Sequence, residues 1–184
     1  MDNEYYYNNA KSRYYDACSE INSCNNRLNE LNIERHQKVN QINDLNSQIT
    51  KYQSASDQLD TLLQKETDLT DQCSAIITSV SDTAENFTAM VHSSDVCTKN
   101  LNDVYGTKNV VLVGNIFTEV RTRKTSVTGS LTTLKSDKTI AQNQLNDIDS
   151  SITSTNSSKS YWEGQKRNAS IDMDYYKSKM DQEN

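Results

Sequence analysis

The residues able to do covalent or metal chemistry are few and badly placed for it. Histidine occurs only at His36 and His92, and cysteine at Cys18, Cys24, Cys73 and Cys97. His92 and Cys97 pair a base with a thiol, the combination that a cysteine nucleophile needs. Five residues apart on a helix, however, they point to different faces. No glycine-rich turn lies near them to build an oxyanion hole. The cysteines form no CxxC pair, and the chain has no HExxH, GxGxxG or phosphate-loop motif. Sequons at Asn86, Asn156 and Asn168 match a short pattern that recurs by chance in a chain this rich in Asn and Ser. The expectation is a protein that is not an enzyme, with no catalytic residue, no cofactor and no metal. Its cysteines are read as free thiols that act as small hydrophobes.

Aromatic residues are the other group with recognition chemistry. Tyr5, Tyr6, Tyr7, Tyr14 and Tyr15 crowd one end of the chain, and Tyr161, Trp162, Tyr175 and Tyr176 crowd the other. Tyr and Trp carry large apolar area with a polar tip and are enriched at interface hot spots. A chain folded back on itself brings the two clusters to the same end, where they either staple the termini or form a docking patch.

The elements that must position these residues are long helices. Proline is absent and glycine occurs four times in 184 residues, so the residues that most strongly break helices are almost missing. Ile21, Cys24, Leu28, Leu31, Arg35, Lys38, Ile42, Leu45, Ile49 and Tyr52 follow each other in steps of three and four, the period of a coiled-coil seam. All but Arg35 and Lys38 are apolar. A second run with the same period goes from Leu69 through Cys73, Ile76, Val80 and Phe87 to Val104. Its phase slips relative to Tyr52, with a possible break at Ser54, Ser56 and Asp57 and another at an Asp82–Glu85 capping box. A third run reads Val113, Phe117, Val120, Lys124, Val127, Leu131, Leu134, Lys138, Ala141, Leu145, Ile148 and Ile152. The charges on these seams, Arg35, Lys38, Lys124 and Lys138, are expected to reach out to solvent or to set register with a partner.

The expected fold is all-α: an elongated antiparallel helical hairpin or coiled coil with possible extra short helices, forming one unit over residues 1–184. Its N-terminal arm is placed at 4–104, a turn at 105–109 around Tyr105 and Gly106, and a C-terminal arm at 110–153. Val110 to Val113 is read as the buried start of that arm. Residues 154–160 are read as a polar spacer, followed by a terminal helix at 161–182 opened by a Ser160–Glu163 capping box.

Only 34% of residues are hydrophobic, which suits a narrow seam better than a thick globular core. A formal charge of −6, with Arg121, Arg123 and Lys124 as the one short basic cluster, argues against nucleic acid as a partner. No apolar run nears the ~18 residues needed to span a bilayer. Met1 to Tyr7 lack the basic and apolar regions of a signal peptide, so synthesis in the cytoplasm is expected.

A tyrosine-rich start, a coiled N-terminal arm, a central aromatic-glycine pair at Tyr105-Gly106 and a coiled return arm together resemble the small accessory proteins encoded beside LXG-type effectors of Gram-positive type VII secretion systems, relatives of the WXG-type hairpins. The turn motif of that superfamily is Trp-x-Gly; here Tyr105-Gly106 holds the central place, and a literal Trp162-Glu163-Gly164 lies near the C-terminus. The family's export signal, Tyr followed four residues later by Asp or Glu, is absent, since Lys179 follows Tyr175 and Met180 follows Tyr176. The resemblance implies an adaptor or chaperone that binds a helical effector, with export alongside that partner by a route independent of a signal peptide. The partner-binding candidates are Tyr105, Gly106, Phe117, Tyr161, Trp162, Gly164, Tyr175 and Tyr176. The seams alone equally suit a self-associating structural coiled coil, such as a phage or cytoskeletal rod element, whose partner is another copy of itself.

Overall fold

The computed structural model describes residues 2–91 and 108–183. Its fold is all-α, of the helical-hairpin class: α1 spans Asn3–Val91 and α2 spans Lys108–Glu183, and the two pack against each other. Contacts group into two units, one formed by residues 1–44 with 137–184 and the other by residues 45–136.

Helix α1 opens at Asp2, whose side-chain Oδ1 accepts a 3.0 Å hydrogen bond from the Tyr5 amide, while its backbone carbonyl accepts one of 3.3 Å from the Tyr6 amide. That is the geometry of an N-cap. The many Ser and Thr residues do not interrupt either helix, because their hydroxyls donate back to carbonyls one turn earlier. Thr61 donates to Asp57 at 3.0 Å and Ser74 to Thr70 at 2.9 Å. Gly114, Gly129 and Gly164 all sit inside α2, with open space where a Cβ would stand.

In the first unit the helices are antiparallel. Arg13 reaches Asp172 at 2.8 Å, and Arg35, further along α1, reaches Asp149 at 2.7 Å, earlier in α2. Along the seam of this unit lies a core of Ala10, Ala17, Cys24, Leu31 and Ile42 from α1 and Ala141, Leu145 and Ala169 from α2. Small residues on both helices let the backbones approach closely, and leucines fill the wider layers. In the second unit Glu66 accepts from Arg121 and Asp60 from Lys124, again antiparallel. Its core holds Leu45, Phe117 and Leu131 together with the buried hydroxyl residue Ser56.

Several elements differ from the expectations. The seam of α1 does not slip after Tyr52. It continues in its original phase through Ser56, Leu59, Leu63, Glu66 and Cys73, all buried or half-buried, whereas Leu69 and Ile76 are exposed. The helix runs unbroken past Ser54–Asp57, where the continuing seam supports it through these polar residues, and it continues past Asp82 to Val91. Residues 154–160 are helical too, so they form no spacer, and the Ser160–Glu163 pair opens no new helix. Here the seam carries on through half-buried Thr155, Lys159 and Trp162, and Thr153, Thr155 and Ser157 donate to carbonyls four residues back. Lys108 and Asn109, placed in the turn, already belong to α2. The start of α2 is not uniformly buried: Val113 is half-buried, but Leu112 is exposed. Tyr105 and Gly106 lie outside the described residues, as do His92 and Cys97.

Three of the charges on the seam, Arg35, Lys38 and Lys124, find partners at its edge. Arg35 pairs with Asp149 and Lys124 with Asp60. Lys38 donates at 2.8 Å to Gln144 on the facing helix and to Gln41 on its own. Long side chains can lay their methylenes over the seam while their heads stay wet.

Candidate protein-binding surfaces

The first unit gathers the aromatic residues of both chain ends. Tyr6 of α1 and Tyr176 of α2 stack with ring centroids 5.3 Å apart and planes 19° apart. Tyr5 leans edge-on against Tyr6 at 5.5 Å, and Tyr175 edge-on against Tyr176 at 5.1 Å. The result is a row of four rings in which the inner pair bridges the helices. The outer pair is largely in solvent, with Tyr5 61% and Tyr175 56% exposed. Both contact geometries are those favoured by the ring quadrupole. The Lys179 ammonium lies 5.9 Å from the Tyr175 ring, within cation–π range.

Further along the same unit, Tyr161 packs edge-on against Trp162 at 5.1 Å, and Tyr14 against Tyr15 at 5.8 Å. Trp162 is half-buried on the seam while Tyr161 and Tyr15 project outward. The Lys166 ammonium stands 5.2 Å from the centre of the Tyr14 ring. Its pKa is raised above the ordinary lysine value by electrostatic attraction to Cys18 first and to Tyr14 second; hydrogen bonds to both add to this, and desolvation opposes it.

Of the candidates read from the sequence, Tyr175 and Tyr176 come together with Tyr5 and Tyr6, and Tyr161 with Trp162. Gly164 is an ordinary helical residue with nothing near it that demands glycine. Phe117 is 5% exposed and belongs to the core of the second unit, so it cannot meet a partner without unfolding that core. Sequence reasoning placed Tyr5 and Tyr6 in a cluster but not among the partner-binding residues. The helical register that brings Tyr6 onto Tyr176 would have identified them.

In the second unit an open groove of ≈ 360 Å³ is lined by Ala55, Leu59, Leu62, Arg123 and Val127, among others. Its lining is mostly apolar, with Gln58, Ser126 and the Arg123 guanidinium as its polar groups. The three described cysteines are free thiols, with Cys24 buried and Cys18 and Cys73 half-buried. Among the described residues, no group of three or more His, Cys, Asp or Glu is arranged to hold a metal ion. No described helix is long and apolar enough to cross a membrane.

The described residues define a class: an all-α helical hairpin of two long packed helices, with aromatic residues exposed on one unit and a mostly apolar groove on the other. Comparison with family models, with curated proteins and with solved structures finds no match to the chain.

Proposed function

We propose that this protein is a helical adaptor or chaperone that uses the aromatic end of its first unit to hold a helix of another protein. A helical effector of a type VII-like secretion pathway is the partner class that the layout of the sequence suggests. The observation that carries the reading is the row Tyr5, Tyr6, Tyr176, Tyr175. Its outer rings are more than half exposed, yet each is braced edge-on by an inner ring. A braced aromatic ring loses little conformational freedom on binding and buries a large area, which is why tyrosine recurs at hot spots.

The test is co-expression with a co-encoded LXG-type effector, followed by size exclusion. Co-elution is expected, and Tyr5→Ser with Tyr175→Ser should abolish it while leaving helicity unchanged. An effector that never co-elutes, or one that binds the double variant as well as the parent, overturns the reading.

A further inference from the structure

The two units use one heptad position in opposite ways. Call the seam positions a and d, with Leu63 at a and Glu66 at d; the residue just before each a is g. In an antiparallel pair the g positions of the two helices flank the same side of the seam. In the first unit, beyond the stacked Tyr6, α1 carries Arg13, Glu20, Arg27, Glu34 and Gln41 at g, and Arg13 is tied across the flank to Asp172, a g residue of α2. In the second unit the same position carries Gln48 and then Ala55, Leu62, Leu69 and Ile76. The last three are 43–58% exposed, and Ile116 at g of α2 is exposed as well. The opposite flank of α1 in this unit, position e, holds Asp60, Thr67 and Ser74. Apolar residues at a and d alone make a two-helix seam, whereas apolar residues at a, d and g make the wider face of a bundle with more helices. The second unit therefore has the pattern of a bundle but, among the described residues, only two helices.

We infer that this flank is covered by the same flank of a second copy of the chain, giving a two-fold symmetric dimer whose axis passes at Leu69. Two observations select this occupant. The stripe is self-complementary: Leu62 and Ile76 lie seven residues to either side of Leu69, so an antiparallel copy sets each Leu62 against Ile76 of the other chain and Leu69 against itself. An isologous interface needs such a patch. The groove beside Leu62 is then filled by Ile76 of the second copy. The charges also fit this orientation. Arg123 lines the groove at the Leu62 end, and Lys65 follows Leu62 by three residues. An antiparallel copy separates both from their counterparts, whereas a parallel copy would stack like on like. A specific interface must bury about 1,000 Å² or more in total, so each copy has to contribute roughly 500 Å² from this flank and the facing flank of α2. This surface is distinct from the aromatic end of the first unit.

The experiment is light scattering after size exclusion on the full chain up to about 100 µM, the range in which a Kd of ~1 µM is saturated, with circular dichroism on the same fractions. The expected mass is twice the 20.9 kDa of the chain. Leu69→Glu changes an exposed side chain, so helicity should be kept, but it sets two unpaired carboxylates face to face and should weaken dimerisation at least about a hundredfold. Leu62→Glu and Ile76→Lys should each weaken the dimer. The double variant should restore it, because the carboxylate introduced by Leu62→Glu in one chain then meets the ammonium introduced by Ile76→Lys in the other. A parent chain that stays monomeric, a Leu69→Glu chain that stays dimeric, or a double variant no better than its singles overturns the inference. The Tyr5→Ser, Tyr175→Ser chain should keep the dimer mass, so failure of partner capture and failure of dimerisation are read separately.

Discussion

Leu31 is the largest side chain in the described core that is almost fully buried, at 1% exposed, and Ile33, two residues on, is 60% exposed. The pair isolates what the seam contributes, because local helix propensity is shared and only the direction of the side chain differs. Leu31→Ala removes three carbon atoms from water-free surroundings, about 2.4 kcal/mol at ~0.8 kcal/mol each, before any cavity is counted. Leucine-to-alanine losses in cores run to about 2–5 kcal/mol, depending on how far the site collapses. A seam only two helices thick collapses readily, so a loss of about 2.5–3 kcal/mol is expected. Trp162 is the only tryptophan and lies half-buried in the same unit, so its fluorescence reports on unfolding of that unit. With a urea slope of roughly 2 kcal/mol/M, the midpoint should fall by a little more than ~1 M. Ile33→Ala should move it by no more than the roughly 0.5 kcal/mol typical of surface changes. If the two variants shift the Trp162 transition equally, burial along this register is not what stabilises the unit.

Four further outcomes follow from the same reasoning. Ser157→Pro, in a segment that composition alone marks as a spacer, should cost about 3 kcal/mol or more by removing a helical hydrogen bond and clashing with the preceding turn; a true spacer would tolerate it, and amide hydrogen exchange across 150–165 separates the cases. Gly129→Ala and Gly164→Ala meet open space and should each raise stability by about 0.5–1 kcal/mol, seen as a higher urea midpoint. Tyr6→Ala should lower the Trp162 midpoint by at least the ~0.5–1.5 kcal/mol of an aromatic pair, whereas Tyr15→Ala, whose ring is 60% exposed and packs edge-on against its sequence neighbour Tyr14, should cost less. The raised pKa of Lys166 means that its contribution is fully present below the unfolded lysine value of about 10.4 and is lost as pH rises through the higher folded value; midpoints measured between about pH 9 and 11.5 should fall more steeply for the parent than for Lys166→Met.

The stretch of α2 from Val113 to Ile152 was legible almost residue by residue. Every position read as seam from Val113 to Ile152 is buried or half-buried, because there the apolar residues outnumber the polar ones at a and d and no second stripe competes. Helix α1 misled between Tyr52 and Cys73 for the converse reason. Its true seam there is weak, with Ser56, Glu66 and Thr70 at a and d, while Leu62, Leu69 and Ile76 form a stronger stripe one position away. Counting apolar residues in a window selects the stronger stripe; carrying the phase through from the well-defined seam at Leu31 to Leu45 selects the right one. Residues 154–160 misled because serine-rich composition speaks for local preference, and the seam through Thr155, Lys159 and Trp162 outweighs it. The aromatic site was legible as composition but not as geometry, since the stack of Tyr6 on Tyr176 depends on a register set far away by pairs such as Arg35 with Asp149. The discarded phase slip is itself informative. A chain whose only requirement were to pair its own two helices would gain nothing by placing Leu62, Leu69 and Ile76 beside the seam, where they remain in water. The displacement of the apolar stripe by one heptad position, confined to the second unit, is what a surface built for a further pair of helices requires.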